Sequence, residues 1–466
     1  MKRPFRSTTP SDLLLPGLVL LCGATATATA LLSAERPTMF ALVVCQTLSV
    51  LWLGRLTWSR TRQWATVGML VAAAWTLTFL ASSWIYSISP GLLDVARPTQ
   101  ALAIVELSLL CLIGGLALSP RSPLKPGPAF VRVLPTTLRP RILALWCLLG
   151  LLALAVFFDS SGGVVHYLKN LNREGGLSRG KTYFEVLALA LLFAAQLVAC
   201  VRWSLGERLK APHVAAVILG LALVALLGAR LFIAIALVEL ALFYALVRRR
   251  PELRHMVPVL LITAILVIFG LGAIKRYSNY QSAHPGVHTT FGHYLRTAAG
   301  DELTTAYANN YADGVRLIAL ARITVPAYAQ PEFGKEFLRL LLQPIPYPWR
   351  PSVSTAPAIK AAFYPSTTTA YAQPLQVVSY LQFGVPGVVL AFFLVGAGIA
   401  ELDRALAKRR LFRVSTVLAL LALSVDVAVS LRDALGPADA VTALALLLLW
   451  LVARTSEVPL PEPKTE

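Results

Sequence analysis

Apolar runs about as long as a bilayer is thick recur along the whole chain, and they leave few folds open to it. Crossing the hydrocarbon core as a helix takes about 20 largely apolar residues. In lipid the backbone must satisfy its own hydrogen bonds, which a helix does within the segment. Runs of this kind fall near 13–33, 38–54, 64–86, 99–119, 142–158, 182–201, 213–228, 231–247, 256–274, 376–399, 414–431 and 437–453. Only 14% of the residues are charged, against about 25% in soluble domains. The expected fold is an all-α polytopic membrane protein of about twelve transmembrane helices.

The segments between the runs sort by charge. One set holds Lys2, Arg3 and Arg6; Arg55, Arg60 and Arg62; Arg121, Lys125, Arg132, Arg139 and Arg141; and Arg202, Arg208 and Lys210. RRRPELR (248–254) and KRRLFR (408–413) continue it. The alternate set has short loops bearing only Arg36, Arg97, Arg230 and Arg432. The positive-inside bias puts the first set, with both termini, in the cytoplasm. A formal charge of +19 therefore records topology, and nucleic acid is not an expected partner. The chain divides into a first set of helices within 1–274, with an outer loop at 159–181, and a large extracytoplasmic loop at 275–375. The last helices follow within 376–454, then a cytoplasmic tail at 455–466.

All five cysteines (Cys22, Cys45, Cys111, Cys147, Cys200) fall inside the runs. Their spacing fits neither a metal site nor a disulfide framework, and they read as packing residues. The first run ends in ATATATALLSA, which resembles a signal-peptide cleavage region; an uncleaved helix is the expectation.

Two outer segments are long enough to hold chemistry. SSGGVVHYLKNLNREGGLSRGKTY (160–183) is glycine-rich and carries Lys169, Arg173, Arg179 and Lys181. The second, from Lys275 to Pro374, is too long to be structureless and is expected to fold. Residues 290–322 suggest one or two surface helices. PEFGKEFLRLLLQ (331–343) suits a helix lying in the interface, with Phe333, Phe337, Leu340 and Leu341 as its apolar stripe. In PIPYPWRP (344–351) the prolines fix an extended path. Tyr347 and Trp349 suit headgroup depth there, and Arg350 is held on the same stiff path.

Arg230 stands inside an apolar run from His213 to Val247 that is too long for one span and barely enough for two. A guanidinium at the bilayer centre costs at least about 2.5–3.5 kcal/mol. The run must therefore turn back near Gly228-Ala229 on the outer side, which lifts Arg230 to the interface. There it reads either as a snorkelling arginine or as one member of a set. The others are Lys275 and Arg276 in GAIKRYSNY, and Arg432, beside Asp433, in VSLRDALGPAD. Several outer-leaflet cations at one depth, against the positive-inside bias, point to a shared anionic ligand. A lipid-linked phosphate or pyrophosphate suits that depth, and arginine's planar fork of donors suits phosphate oxygens.

Taken in order, GAR (228–230), KRY (275–277), NNYADG (309–314), PIPYPWRPS (344–352), YLQFGVPGVVL (380–390) and RDAL (432–435) carry a family likeness. Over residues 160–445 the chain resembles the Wzy-type O-antigen polymerases, which join oligosaccharide repeat units of bacterial surface polysaccharides and include the enterobacterial common antigen polymerase. Members often carry a Glu shortly before the Tyr-x-x-Phe-Gly stretch; here Val378 precedes Tyr380. The resemblance implies a GT-C-like membrane glycosyltransferase of the bacterial inner membrane, with its active site on the outer face. The implied substrate is an undecaprenyl-pyrophosphate-linked oligosaccharide. The growing glycan would leave its pyrophosphate and pass to the non-reducing-end hydroxyl of a new lipid-linked unit. Membrane lipid and a chain-length regulator protein are the other implied partners, and no cofactor is implied.

Fixed cations aimed at the leaving pyrophosphate stabilise the transition state by about 2.7–4 kcal/mol per well-placed donor. Arg230, Arg276 and Arg432 are the catalytic candidates, with Asp433 either a base or an orienting partner of Arg432. Lys275, Tyr277, Trp349, Arg350, Arg173, Arg179 and Asp313 are the candidates for substrate binding. A base for the hydroxyl has further candidates in Asp313, Asp301, Glu302, His284, His288 and His293; the plain reading of the histidines is a solvated loop. Asp301 and Glu302 alone make a poor metal site, so metal-independent catalysis is expected.

Three rivals share parts of this reading. An O-antigen ligase has similar architecture and the same donor, but transfers to a lipid A core. A transferase using a polyprenyl-monophosphate sugar would place acidic residues in the first outer loop, which holds only SAERP. A polysaccharide transporter or flippase would set charges within its spans. Here the spans read as nearly free of charge below the outer interface, with Asp426 in LALSVDVAVS as the main exception.

Overall fold

The computed structural model describes residues 23, 36–61, 66–88, 98–119, 131–164, 167, 182–226, 230–247, 277, 290–294, 313–327, 333–335, 338, 342, 374–407, 411–431 and 437–460. Its helices are α1 (Arg36–Thr61), α2 (Val67–Trp75), which continues through a π-helical turn (Thr76–Leu80) into α3 (Ala81–Ile88), and α4 (Pro98–Leu118). Then come α5 (Pro140–Ser160), α6 (Thr182–Ala188), α7 (Ala190–Ser204), α8 (Ala211–Leu226) and α9 (Arg230–Val247). The last are α10 (Asp313–Ala327), α11 (Leu375–Ala407), α12 (Val414–Ser430) and α13 (Pro437–Ser456). Every expected span that falls among the described residues is helical; those near 13–33 (Gly23 apart) and 256–274 lie outside them. Among the described residues, six helical stretches are long and apolar enough to cross a membrane: Pro37–Arg60, Val67–Ile88, Pro98–Leu118, Pro140–Ser160, Tyr183–Ser204 and Leu375–Leu406. Shorter apolar helices stand at Ala211–Leu223, Ile235–Val247, Val414–Val429 and Ala443–Ser456. The chain is a mostly helical, membrane-embedded protein.

The bundle has two hubs. α4 is the first, packed against α1, α10 and α11, with Leu102, Ile104, Leu109 and Leu112 fully buried. Its contact with α11 is the most extensive in the structure, because glycines clear the crossing point. A Cβ on Gly115 would lie 2.0 Å from Phe393 O, and one on Gly396 would lie 2.0 Å from Leu112 O. Lipid offers no hydrophobic drive between helices, so close small-residue packing of this kind holds spans together. α7 is the second hub, surrounded by α5, α8, α9, α12 and α13. α12 joins the two groups, touching α2 and α11 as well as α9 and α13. α5 and α8 are peripheral: Leu148, Leu151, Leu152, Ile218 and Leu219 are exposed, as lipid-facing side chains would be. Cys45, Cys111, Cys147 and Cys200 stand inside helices and form no disulfide; Cys22 lies outside the described residues.

Short strands stitch one end of the bundle. β1 (Arg132–Val133) pairs in parallel with β3 (Leu411–Phe412), and β2 (Thr136–Leu138) pairs antiparallel with β4 (Glu457–Pro459). Val131 N donates to Leu246 O (3.1 Å), Leu134 N to Phe412 O (2.8 Å) and Arg139 N to Ser456 O (2.7 Å). Glu457 caps α12, accepting from Ser415 N (3.0 Å) and Ser415 Oγ (2.5 Å). Asp403 likewise accepts from Val67 N (2.8 Å) and Gly68 N (3.4 Å) at the start of α2. Segments that the sequence groups by their basic charge thus meet at one end of the molecule. Residues 457–459, read as part of a tail, are a strand.

The segment read as a large outer loop, 275–375, departs most from expectation where it is described. Residues 290–322 read as surface helices, yet α10 is buried, with Val315 and Ala321 fully enclosed. It packs against α4, α11 and the π-helical turn, and a Cβ on Gly314 would lie 3.0 Å from Phe79 Cε1 and 3.5 Å from Pro374 Cγ. α11 is not one straight rod either. Gly384 has φ 66° and ψ −152°, a region that is essentially glycine-only. A Cβ on Gly387 would lie 2.5 Å from Ser379 O, whereas residues 8 apart in a continuous helix are about 12 Å apart. The chain therefore doubles back at Gly384. Gln376 Nε2 donates to Ser108 Oγ (3.4 Å), at the middle of α4. So the short half, 375–383, starts at mid-height and Gly384 is the tip of a helical hairpin. The long half, 385–407, is about 34 Å at 1.5 Å per residue, enough to span by itself. Gly384→Ala is expected to cost about 1–3 kcal/mol, read as a fall in melting temperature. Gly398→Ala, with nothing within 4 Å of its Cβ, is the control. Equal melting of the two variants would rule out the hairpin.

Candidate functional site

α8 ends at Leu226 and α9 opens at Arg230. The arginine is thus the first helical residue after the expected turn, and its side chain lies outside the described residues. Asp313 opens α10, with its side chain likewise outside them. Lys275, Arg276, Trp349, Arg350, Arg173, Arg179, Arg432 and Asp433 all lie outside the described residues, as do Asp301, Glu302, His284 and His288. Convergence of the cations on one ligand stays an expectation of the sequence.

Tyr277 is described, and it packs. Its half-buried ring meets Phe291 edge-on (centroids 5.3 Å apart, 68°) and Tyr294 at a tilt (5.4 Å, 55°). Such pairs add to the burial of the rings themselves, so Tyr277 anchors the chain leaving 277 to the 290–294 helical turn. His293 on that turn is exposed, in keeping with its plain reading.

The YLQFGVPG stretch is a docking platform. The Tyr380 hydroxyl and the Arg322 guanidinium from α10 are hydrogen-bonded. On the same half-helix, Gln382 O accepts from Phe333 N (3.2 Å) and Gln382 Oε1 accepts from Gly334 N (2.7 Å). Phe333 (φ 44°) and Gly334 (φ 89°) both turn in the left-handed region to make this contact. Phe333, Leu338 and Phe383 are exposed around the hairpin tip, which suits the interfacial depth read for 331–343. Arg322 and Gln382 were not singled out in the sequence: an arginine in an outer segment and a glutamine before a glycine carry no signal until the segments meet.

The spans are less free of charge than their hydropathy suggests. Besides the half-buried Asp426, acids stand in three more helices, and these are buried: Glu106 in α4, Glu185 in α6 and Glu239 in α9. Glu106 Oε1 accepts from Ser49 Oγ (2.8 Å), while Oε2 has no partner among the described residues. A Cβ on Gly23 would lie 3.0 Å from Glu106 Oε1. Glu239 Oε2 accepts from Gln196 Nε2 (3.1 Å), which also donates to Ala236 O (3.3 Å). Glu239 and Asp426 line one cavity of ≈ 20 Å³ with Phe193, Phe232, Ala422 and Leu449 among the other walls. The signal was present, since a lone acid inside an apolar run marks a site or a specific pairing. Averaged over the run, it disappears. Among the described residues no three His, Cys, Asp or Glu side chains gather as a metal site.

Searches of this chain against protein-family models, curated proteins and solved structures return no match.

Proposed function

We propose that the chain is a membrane glycosyltransferase that polymerises undecaprenyl-pyrophosphate-linked repeat units into a surface polysaccharide at the outer face of a bacterial inner membrane. The observation supporting it best is that two of the marker segments, where they are described, are built into the bundle rather than hanging from it. NNYADG ends on the first turn of α10, YLQFGVPGVVL forms the α11 hairpin, and the two pack together. Residues 333–334, shortly before PIPYPWRPS, are hydrogen-bonded to the same hairpin. In this reading Arg230, Arg276 and Arg432 face the departing pyrophosphate. The bond from the anomeric carbon to the phosphate oxygen breaks as the acceptor hydroxyl attacks, and its proton passes to a base such as Asp433. Lys275, Tyr277, Trp349, Arg350, Arg173, Arg179 and Asp313 hold the lipid-linked glycan.

A polysaccharide transporter is the second reading. It is favoured by Glu239 and Asp426 inside helices, and by two helices, α10 and α11, that start at mid-height of the bundle. Purified protein incubated with one lipid-linked repeat unit separates the readings on a gel. A ladder is expected. A single conjugate formed only with added lipid A core would mean ligation. No product, with labelled unit crossing a proteoliposome membrane, would mean transport.

A further inference from the structure

We propose that the exposed face of α5 binds an anionic phospholipid, its phosphate held by Arg139 and Arg141 at the end of the bundle that the strands stitch. α5 is the least enclosed of the six spanning stretches described above. Arg141, Leu145, Leu148 and Leu152 are all exposed, and spacings of three and four residues set them in one row along the helix. Arg141 heads the row, and Arg139, also exposed, is the N-cap of the same helix. The leucines follow about 6–17 Å further along at 1.5 Å per residue, the depth of acyl chains. A cation above an apolar strip is the order in which a phospholipid carries its phosphate and its tails. At the opposite end of α5 the exposed charge is Asp159, which repels such a headgroup. The match is to one leaflet.

The other arginines at this end single these two out. Arg60 donates to Ala117 O (3.3 Å) and Ser119 O (2.6 Å). Arg202 is paired with Glu207 and Arg404 with Glu401, and Arg454 stands 3.9 Å from Glu457. Arg139 and Arg141 have no side-chain partner among the described residues. Their backbone is fixed all the same: Arg139 N donates to Ser456 O (2.7 Å), and Arg139 O accepts from Leu143 N (3.0 Å). Two guanidinium forks on a rigid base suit phosphate oxygens. A phosphatidylcholine headgroup brings its own cation, whereas an anionic headgroup leaves its charge for the protein. A second copy of this chain fits the row poorly. Both copies insert the same way up, so a twofold contact would set Arg141 against Arg141.

Trp146, half-buried on α5 with Nε1 donating to Thr455 Oγ1 (2.9 Å), is a local reporter. The test uses the full chain in nanodiscs of phosphatidylcholine with a graded share of phosphatidylglycerol, one lipid or the other brominated in its tails. Bromine quenches a tryptophan that it touches, and the Trp146 signal is the difference between wild type and Trp146→Phe. At equal share, brominated phosphatidylglycerol is expected to quench more than brominated phosphatidylcholine. The preference should be about fivefold for each arginine and should fall as salt is raised. The double variant Arg139→Gln, Arg141→Gln should melt with the wild type in pure phosphatidylcholine and lose the preference. The corresponding double lysine variant should keep most of it. Equal quenching by the two lipids in the wild type overturns the proposal, as does an undiminished preference in the glutamine variant. So does a Trp146 that neither lipid reaches, the result of a second copy or another protein covering this face. Native mass spectrometry of wild type and glutamine variant makes the comparison without Trp146→Phe: the variant should retain less phosphatidylglycerol, and equal retention overturns the proposal. No readout involves glycan transfer, so a missing ladder leaves this inference standing.

Discussion

Valine in place of Gly115 is expected to leave little protein that purifies as a single monodisperse species. The obstacle is backbone: the first atom of any side chain at 115 would lie 2.0 Å from Phe393 O, and a carbonyl in a helix cannot rotate aside. α4 and α11 would have to separate, undoing the widest contact in the bundle. Overpacking ordinarily costs about 1–3 kcal/mol and occasionally more; moving two helices apart belongs at the upper end. Gly396→Val should do the same against Leu112 O, and the double variant should be little worse than either, because both act on one contact. Gly114→Ala is the control, with nothing within 4 Å of its Cβ. Size-exclusion elution and melting temperature decide the matter. If Gly115→Val matches Gly114→Ala in both, the crossing described above is wrong.

Arg230→Ala is expected to abolish the polymer ladder, with turnover falling by about 10²–10³-fold, the usual loss when one aimed donor to a developing anion is removed. Stability should hold or rise. Arg230 is the first residue of α9, where the positive end of the helix dipole disfavours a cation, so the fold gains nothing from the charge. Loss of activity without loss of melting temperature is therefore the signature of a functional arginine. Arg230→Lys keeps the charge and loses the planar fork, and should recover part of the ladder. A ladder as dense as the wild type's from Arg230→Ala would leave the residue as an interfacial snorkel.

Where hydropathy alone decides, the sequence was a good guide. The run at 231–247 became α9 at Arg230–Val247, and 414–431 became α12 at Val414–Ser430. It failed where packing decides. DGVRLIALARITVPA carries two arginines and is short for a span, so it reads as a loop helix, although its apolar face is enclosed by α4 and α11. The Gly384-Val385-Pro386-Gly387 break was visible as turn residues, but continuous apolarity on both sides hid a reversal of direction. Glu106 and Glu239 were legible as single letters and lost in the average. Of the candidate site, the start of a helix at Arg230 was readable from span length. The pairing of Arg322 with Tyr380 required a contact between segments that no local pattern encodes.

The strand collar has a bearing on biosynthesis. Thr137 and Val458 are separated by 321 positions, so β2 emerges from the ribosome long before its partner exists. Most of the helices must be inserted while that edge waits unpaired, and long-range pairing of this kind forms slowly. Residues 457–459 then act as a latch that closes after assembly. Nascent chains arrested before Glu457 would present an open β edge at 136–138 to the aqueous phase, the kind of surface that recruits chaperones or pairs with a neighbour.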